Sequence, residues 1–192
     1  MFKGLQKKYT DHALLAAFAK GDHGAAQQLT EQLMPKIHAH AYYRLGNIAD
    51  AEDVTQEAFL KLWKIAPSWK QDKAQVSTWL YRVVNNLCKD RYRRATLEGM
   101  LSVEEPTNES QSPSSKIDEE LRQKALYTAM SILPESQRLA VQLRHIDELT
   151  NPQIAEIMEL SVEAVESLTA RGKRKLTKIL QSHKPELGYS HG

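Results

Sequence analysis

VSTWLYRVVNNLCKDRYRR, residues 76–94, is the stretch from which the architecture is read outward. Ser77 suits a helix cap, because its hydroxyl can accept from a first-turn N–H that the helix itself leaves unused. Apolar side chains then recur at helical spacing as Trp79, Val83 and Leu87, with Leu80, Val84 and Cys88 beside them. Trp79, Val83 and Leu87 are the expected core stripe. Asn85 and Asn86 sit mid-helix, where Asn is a poor helix former. The stretch ends in Lys89, Arg91, Arg93 and Arg94 against one acid, Asp90. Cations for phosphates, with amides and rings for bases, are what a nucleic-acid strand requires. Taken alone, the same residues equally describe a core helix with a solvated basic end.

Composition narrows the rest. At 192 residues the chain accommodates one domain or two small ones, and 41% hydrophobic with 26% charged residues is ordinary globular usage. The formal net charge is only +2, so an electrostatic function must come from local segregation of charge. Cys88 is the single cysteine, which excludes an internal disulfide and reads as a small buried hydrophobe. No apolar run is long enough to span a membrane. MFKGLQKKYTDH has cations but no signal-peptide apolar core after them. The expectation is a soluble, cytoplasmic protein. The histidines, His183 and His191 among them, show no metal-ligand spacing, and no metal or cofactor is expected.

Upstream of residue 76, residues 1–9 read as a loose basic leader. Thr10 or Asp11 can cap a helix carrying Leu14, Leu15 and Phe18, and Gly21 breaks it. Asp22 can start a second helix that buries Ala26, Leu29, Leu33 and Ile37 and runs on to Leu45, where Gly46-Asn47 stops it. Asp50 is the expected N-cap of a third helix, with Val54, Ala58, Phe59, Leu62 and Ile65 on its apolar face. Its other face carries Asp53, Gln56, Glu57, Leu60, Lys61 and Lys64. An acidic-amide patch holding one leucine suits a basic partner surface. Pro67 ends this helix, and Trp69, Lys70, Gln71 and Asp72 lead into the opening stretch.

Downstream, residues 95–116 hold four Glu, two Pro and many Ser, and read as a flexible linker. A coil of this length spans roughly 26 Å on average and ~70 Å when stretched. A second helical domain is expected over 117–182, followed by a tail at 183–192. Leu121, Ala125, Ala129 and Ile132 form its first stripe, and Leu133-Pro134 punctuates. Leu139, Leu143 and Ile146 form the next stripe. Thr150 with Gln153 fits a capping box for a short helix with Ile154, Ala155, Ile157 and Met158 inward. After a turn at Glu159-Leu160, Ser161 caps a last helix with Val165, Leu168, Leu176 and Ile179 inside. A short helix, a tight turn and a longer helix ending in Arg171, Lys173, Arg174, Lys175 and Lys178 is a helix-turn-helix pattern. Glu163, Glu166, Ser167 and Ala170 are its early outward positions, where base edges are met. Arg171, Lys173 and Arg174 come later, where phosphates are met. The fold class is therefore all-α: two small helical domains joined by a flexible linker, the second a helix-turn-helix domain.

Two blocks carry a more specific signal. DAEDVTQEAFLKLWK (50–64) followed by STWLYRVVNNLCKDRYRR (77–94), and LPESQRLAVQLRHIDELTNPQIAEIMELSVEAVESLTARGKRKL (133–176), resemble the sigma-70 family of bacterial transcription initiation factors, in its compact extracytoplasmic-function class. The resemblance implies a non-enzymatic factor that lends promoter specificity to RNA polymerase. It maps docking on the clamp helices of the polymerase largest subunit to Asp53, Gln56, Glu57 and Leu60. It maps −10 recognition and melting to the loop at 67–77, with Trp69 and Lys70, then Trp79, Asn85, Asn86, Lys89, Arg91, Arg93 and Arg94. Domain 1–94 then carries docking and −10 capture. Domain 117–182 reads the −35 element as duplex through Ser161, Glu163, Glu166, Ser167, Ala170, Arg171, Lys173 and Arg174. An anti-sigma factor is the expected regulatory partner.

Three departures stand out. Glu159 occupies a turn position where the family often has Gly, and a left-handed Glu costs roughly 1–2 kcal/mol. Glu166 and Leu168 replace residues that are often basic. Asn151-Pro152 replaces the more usual helix start. Two other readings compete. A simple helix-turn-helix regulator leaves the Asp53–Leu60 face and the 77–94 helix unexplained. A sigma mimic that titrates an anti-sigma factor has no use for the cations at 89–94 and 171–178.

Overall fold

The computed structural model describes residues 10–70, 75–97 and 125–182, and every regular element among them is helical. Expectations for the leader 1–9, for Gln71 and Asp72, for linker residues 98–116, for Leu121 and for the tail 183–192 lie outside the described residues. The chain divides into two compact units, Met1–Leu101 and Ser102–Gly192.

The first unit contains α1 (Asp11–Ala19), α2 (His23–Leu45), α3 (Ile48–Ile65), a 3₁₀ turn (Ala66–Ser68) and α4 (Val76–Leu97). Its boundaries follow from local chemistry. Thr10 Oγ1 accepts from the Ala13 N–H at 3.3 Å and Asp22 Oδ1 from the Ala25 N–H at 3.2 Å, so each caps its helix. Gly46 ends α2 in the left-handed region at φ 70°, which a glycine enters without steric cost. The cap of α3 is Asn47, whose Oδ1 accepts from the Asp50 N–H at 3.0 Å. Asp50 is thus not the cap but a first-turn residue, one of the acids that favour the positive end of the helix dipole. Likewise α4 begins at Val76, with the Trp79 N–H bonded to Gln75 O at 3.0 Å, so Ser77 lies inside the first turn. The helix also runs to Leu97, three residues past the expected end at Arg94.

Against the core of Leu29, Leu33 and Ile37 on α2 and Val54, Ala58 and Leu62 on α3, α4 buries Val76, Leu80, Val84 and Cys88. The stripe Trp79–Val83–Leu87, expected to build the core, is only half-buried beside it. The helix is turned by about one residue, roughly 100°, from the expected phase. Each fully buried Leu or Val contributes ~1.5–3 kcal/mol over an exposed one, so the phase is strongly held. The turn also carries Thr78 and Asn85 into the interior, alongside His40 and Arg44 of α2. Tyr81 meets His40 edge-on at 5.0 Å, and the Tyr92 hydroxyl donates to Arg44 O.

In the second unit, helical residues 125–131 (α5) are followed by α6 (Glu135–His145), α7 (Asn151–Met158) and α8 (Val162–Ser182). Ala129, expected in the stripe, is buried together with Met130 and Leu133, whereas Ile132, also expected there, is 52% exposed because the helix has already ended. Gln153 Oε1 accepts from the Thr150 N–H at 2.9 Å and the Thr150 hydroxyl at 2.8 Å in the expected capping box. Ser161 Oγ accepts from the Ala164 N–H at 3.2 Å and caps α8. Of the four apolar positions expected inside α8, only Val165 is fully buried; Leu168, Leu176 and Ile179 are partly covered. Gly172 is what lets α8 lie close on α6. A β-carbon there meets Val141 Cγ2 at 2.6 Å and Gln137 O at 3.1 Å. Glu159 is left-handed at φ 57°, as its turn position predicts, and so is Glu148, which the sequence did not flag.

Candidate docking face and nucleic-acid interface

The side of α3 opposite the core is continuous and open. Asp53, Gln56, Glu57 and Leu60 are all exposed, and Leu60, at 68%, is the most exposed large apolar side chain among the described residues. The helical period produces this directly, since 53, 56, 57 and 60 fall on one face while 51, 54, 55, 58, 59 and 62 fall on the other. Two cations partly neutralise the strip. Lys61 Nζ lies 2.8 Å from Glu57, and Arg91 Nη2 of α4 lies 3.2 Å from Asp53.

Arg91 also pairs through Nη1 with Asp50, so one guanidinium holds the start of α3 against α4. The −10 role expected of Arg91 competes with these two contacts. With both of its forks on carboxylates, Arg91 acts as a brace in this conformation. Asn85 is enclosed more completely. It is 0% exposed, and neither its Oδ1 nor its Nδ2 has a hydrogen-bond partner. In this conformation it cannot reach a base.

The remaining −10 candidates stay at the surface. Asn86, Lys89, Arg93 and Arg94 are exposed, with Arg93 Nη2 2.8 Å from Asp90. Arg82 lies on the same stripe, since 82, 86, 89 and 93 step by four, three and four. Sequence reasoning missed it, although that spacing was the signal. Lys70 is exposed, and Trp69 is half-buried. The Trp69 indole N–H donates to His12 Nδ1 at 3.2 Å, and its ring meets Trp79 edge-on at 5.8 Å. His12 thereby holds Trp69, a role nothing in its local sequence announced.

On the second unit, the cap Ser161 and Glu163, Glu166, Ser167, Ala170, Arg171, Lys173 and Arg174 of α8 are all exposed, and one long side of the helix is solvent-facing. Hydrogen bonds from its own backbone N–H and from Ser161 hold the Glu163 carboxyl below the usual carboxylate range. Glu166 Oε1 accepts from Asn151 Nδ2 at 3.2 Å, which ties the start of α7 to the second turn of α8. Arg171 lies back along the helix, its Nε 3.2 Å from Ser167 O and its Nη2 2.9 Å from Ser167 Oγ. Partial burial first, then the neighbouring cations Lys173 and Arg144, push His145 below its ordinary value, which favours its neutral form.

Among the described residues no group of three or more His, Cys, Asp and Glu could hold a metal ion, and no helix is long and apolar enough to cross a membrane. The arrangement is one of surfaces.

Comparison with known proteins agrees. The Sigma-70 region 2 family matches residues 29–98, and the Sigma-70 region 4 family matches residues 123–176. The ECF RNA polymerase sigma factor SigW of Bacillus subtilis is 32% identical over 84% of this chain and 92% of its own length. The ECF RNA polymerase sigma-E factor of Escherichia coli K12 is 32% identical over 92% of this chain and 97% of its own. CnrH, solved in complex with the cytosolic domain of CnrY, shares the fold with a TM-score of 0.70 and 24% identity, covering 90% of this chain and 97% of its own. The sigma factor RpoE, solved with the anti-sigma factor NepR from Bartonella quintana, gives 0.68 and 20%, covering 81% of this chain and 96% of its own. With both sigma regions matched in order and full-length relatives at this identity, the chain belongs to the sigma-70 family of RNA polymerase sigma factors, in its extracytoplasmic-function class.

Proposed function

We propose that this sigma factor, a non-enzymatic initiation factor that directs RNA polymerase to promoters, works through three separate contacts. The α3 strip of Asp53, Gln56, Glu57 and Leu60 docks on the clamp helices of the largest polymerase subunit. The loop that begins at Trp69 and Lys70, together with the α4 stripe of Arg82, Asn86, Lys89 and Arg93 and the neighbouring Arg94, captures the melted −10 strand. Helix α8 lies in the major groove of the −35 element. Opening the duplex needs no bond chemistry. Unstacking costs a few kcal/mol per step, and each base stacked on a ring or held in a pocket returns roughly 1–3 kcal/mol. Capture of single-stranded bases therefore offsets melting.

The observation that carries the reading is the α3 strip. It is a solvent-facing acidic-amide face with a 68%-exposed leucine at its end, on a helix whose opposite side is closed core. A single exposed leucine is ordinary by itself, but set in an acidic-amide strip it suits a partner surface that is basic with an apolar spot. Solved complexes of similarly folded proteins, CnrH with CnrY and RpoE with NepR, support a regulatory protein partner of the anti-sigma kind for this chain as well.

Run-off transcription with purified core polymerase tests the proposal. The full chain is expected to produce promoter-specific transcripts, and Asp53→Arg to lose core binding while keeping its helical content. A chain that binds duplex DNA yet never yields specific transcripts refutes the sigma reading. Unchanged core affinity in Asp53→Arg removes the α3 strip from the interface.

A further inference from the structure

The charge along α8 is segregated. Glu163 and Glu166 stand in its first two turns, and from Ser167 to Ser182 every charged residue is a cation. DNA phosphates repel a carboxylate, so a groove-reading helix can carry one only where it meets a hydrogen-bond donor. In the major groove, the base-edge donors are the exocyclic amines of cytosine and adenine.

The two glutamates are not equivalent. Glu163 is occupied locally, accepting from its own backbone N–H and from Ser161 at the helix start. Glu166 is one turn further along and exposed, and it is held by a neighbour on another helix, with Asn151 Nδ2 at 3.2 Å from Oε1. A carboxylate has about four acceptor sites, and Asn151 fills one of them. The remaining sites are available, and the side chain is already oriented, which lowers the entropy lost on binding. Cytosine suits such an acceptor better than adenine does. Cytosine N4 has an acceptor on one side only, O6 of the paired guanine, whereas adenine N6 is flanked by its own N7 as well as by O4 of the paired thymine, whose lone pairs repel the carboxylate. Guanine presents two acceptors, O6 and N7, and is excluded.

We propose that Glu166, oriented by Asn151, is a specificity determinant of this sigma factor that selects cytosine at one position of the −35 element. The inference rests on the reading that α8 enters the −35 duplex. A basic residue, often found at this position in the family, can only donate, which suits guanine or phosphate and not a cytosine amine, so the −35 preference of this chain differs at that base pair.

Selection from a randomised duplex library tests it, using the full chain with and without core polymerase. The wild-type chain is expected to enrich a site with cytosine favoured at one position by roughly 5-fold, the low end of base discrimination, since one hydrogen bond and not a bidentate pair is made. Glu166→Ala is expected to abolish the preference at that position alone. Glu166→Gln is expected to move it to adenine, because a primary amide pairs with N6 and N7 together. Asn151→Ala is expected to blunt the same preference and no other, a readout that a purely structural role for Asn151 does not produce. Thermal melts establish that each variant is folded. If the wild-type chain enriches a site that Glu166→Ala and Glu166→Gln leave unchanged at every position, Glu166 is only a brace and the proposal fails. If the wild-type chain enriches no duplex site in either form, the −35 reading of α8 fails with it.

Discussion

Replacing Arg91 by alanine separates two roles that the sequence could not tell apart. A phosphate anchor is expendable for folding, whereas a brace is not. The Arg91 side chain is 32% exposed and divides its guanidinium between Asp50, 45% exposed, and Asp53, 67% exposed. Hydrogen bonds to charged groups contribute ~1.5–3 kcal/mol when shielded and exposed ion pairs ~0.2–1 kcal/mol. The half-shielded contact to Asp50 is therefore about 1 kcal/mol, and the contact to Asp53 a few tenths once solvent screening is allowed for. Adding the packing of the aliphatic stem, Arg91→Ala is expected to destabilise the first unit by ~1.5 kcal/mol. All three tryptophans, Trp63, Trp69 and Trp79, lie in that unit, so indole fluorescence follows its unfolding alone. At a urea slope of ~1–3 kcal/mol per molar, the midpoint falls by about 0.5–1.5 M. A double-mutant cycle with Asp50→Ala is expected to give ~0.5–1 kcal/mol of coupling. An unchanged midpoint with zero coupling refutes the brace. If the salt slope of promoter binding also drops by about one unit, Arg91 returns to the phosphate backbone.

Three further perturbations test other parts of the structure. Gly172→Ala forces a β-carbon to within 2.6 Å of Val141 Cγ2, on a β-branched side chain with little rotamer freedom. Overpacking of ~3 kcal/mol less about 1 kcal/mol of gained helix propensity leaves the second unit ~2 kcal/mol less stable by circular dichroism. The tryptophan-reported transition is expected to stay fixed, and an unchanged dichroism melt means the two helices are not in close contact. Glu159→Gly relieves a left-handed residue at φ 57° and is expected to raise the stability of the second unit by ~1 kcal/mol; a lower melting temperature shows that the glutamate side chain outweighs its backbone strain. Burial pushes the Cys88 thiol from 9.0 up to about 12, with Arg44 and Arg91 opposing the rise and Asp50 adding to it. Between those values the native state keeps a proton that the unfolded chain has lost. The contribution is thus complete below pH 9 and falls by up to ~1.4 kcal/mol per pH unit as pH rises towards 12. The difference in urea midpoint between wild type and Cys88→Ala between pH 8 and 10.5 measures it, and no pH dependence in that difference contradicts the burial.

What was legible in the sequence was what is decided within one turn of helix. Thr10, Asp22, Gly46, the Thr150–Gln153 box and Ser161 mark their boundaries because each satisfies backbone groups three or four residues away, with no reference to the rest of the fold. The open face of α3 was legible for a related reason. Apart from Ile48 and Leu60, its large apolar residues fall in a single stripe, so only one rotation buries most of them. Where two local solutions were equally good, tertiary structure chose. Asn47 and Asp50 are both capable caps, and the left-handed turn at Gly46 brings the chain into α3 three residues earlier than Asp50 alone suggested.

The phase of α4 is where this matters for function. Its sequence carries two adjoining apolar stripes, and periodicity alone does not say which one meets α2 and α3. The stripe of smaller side chains, Leu80, Val84 and Cys88, is the one buried, and the wider Trp79, with Val83 and Leu87, is left along the edge. Every polar assignment on the helix follows from that choice. Asn85 and Asn86 are adjacent and chemically identical, yet one is sealed in the interior and the other is open to solvent. Arg91 turns towards Asp50 and Asp53, and Arg82 comes into line with Asn86, Lys89 and Arg93. A resemblance transfers residue types along a sequence, but it does not transfer the rotation of a helix about its axis. That rotation decides which amide can meet a base, and on α4 it is set by which stripe packs more closely against two neighbouring helices.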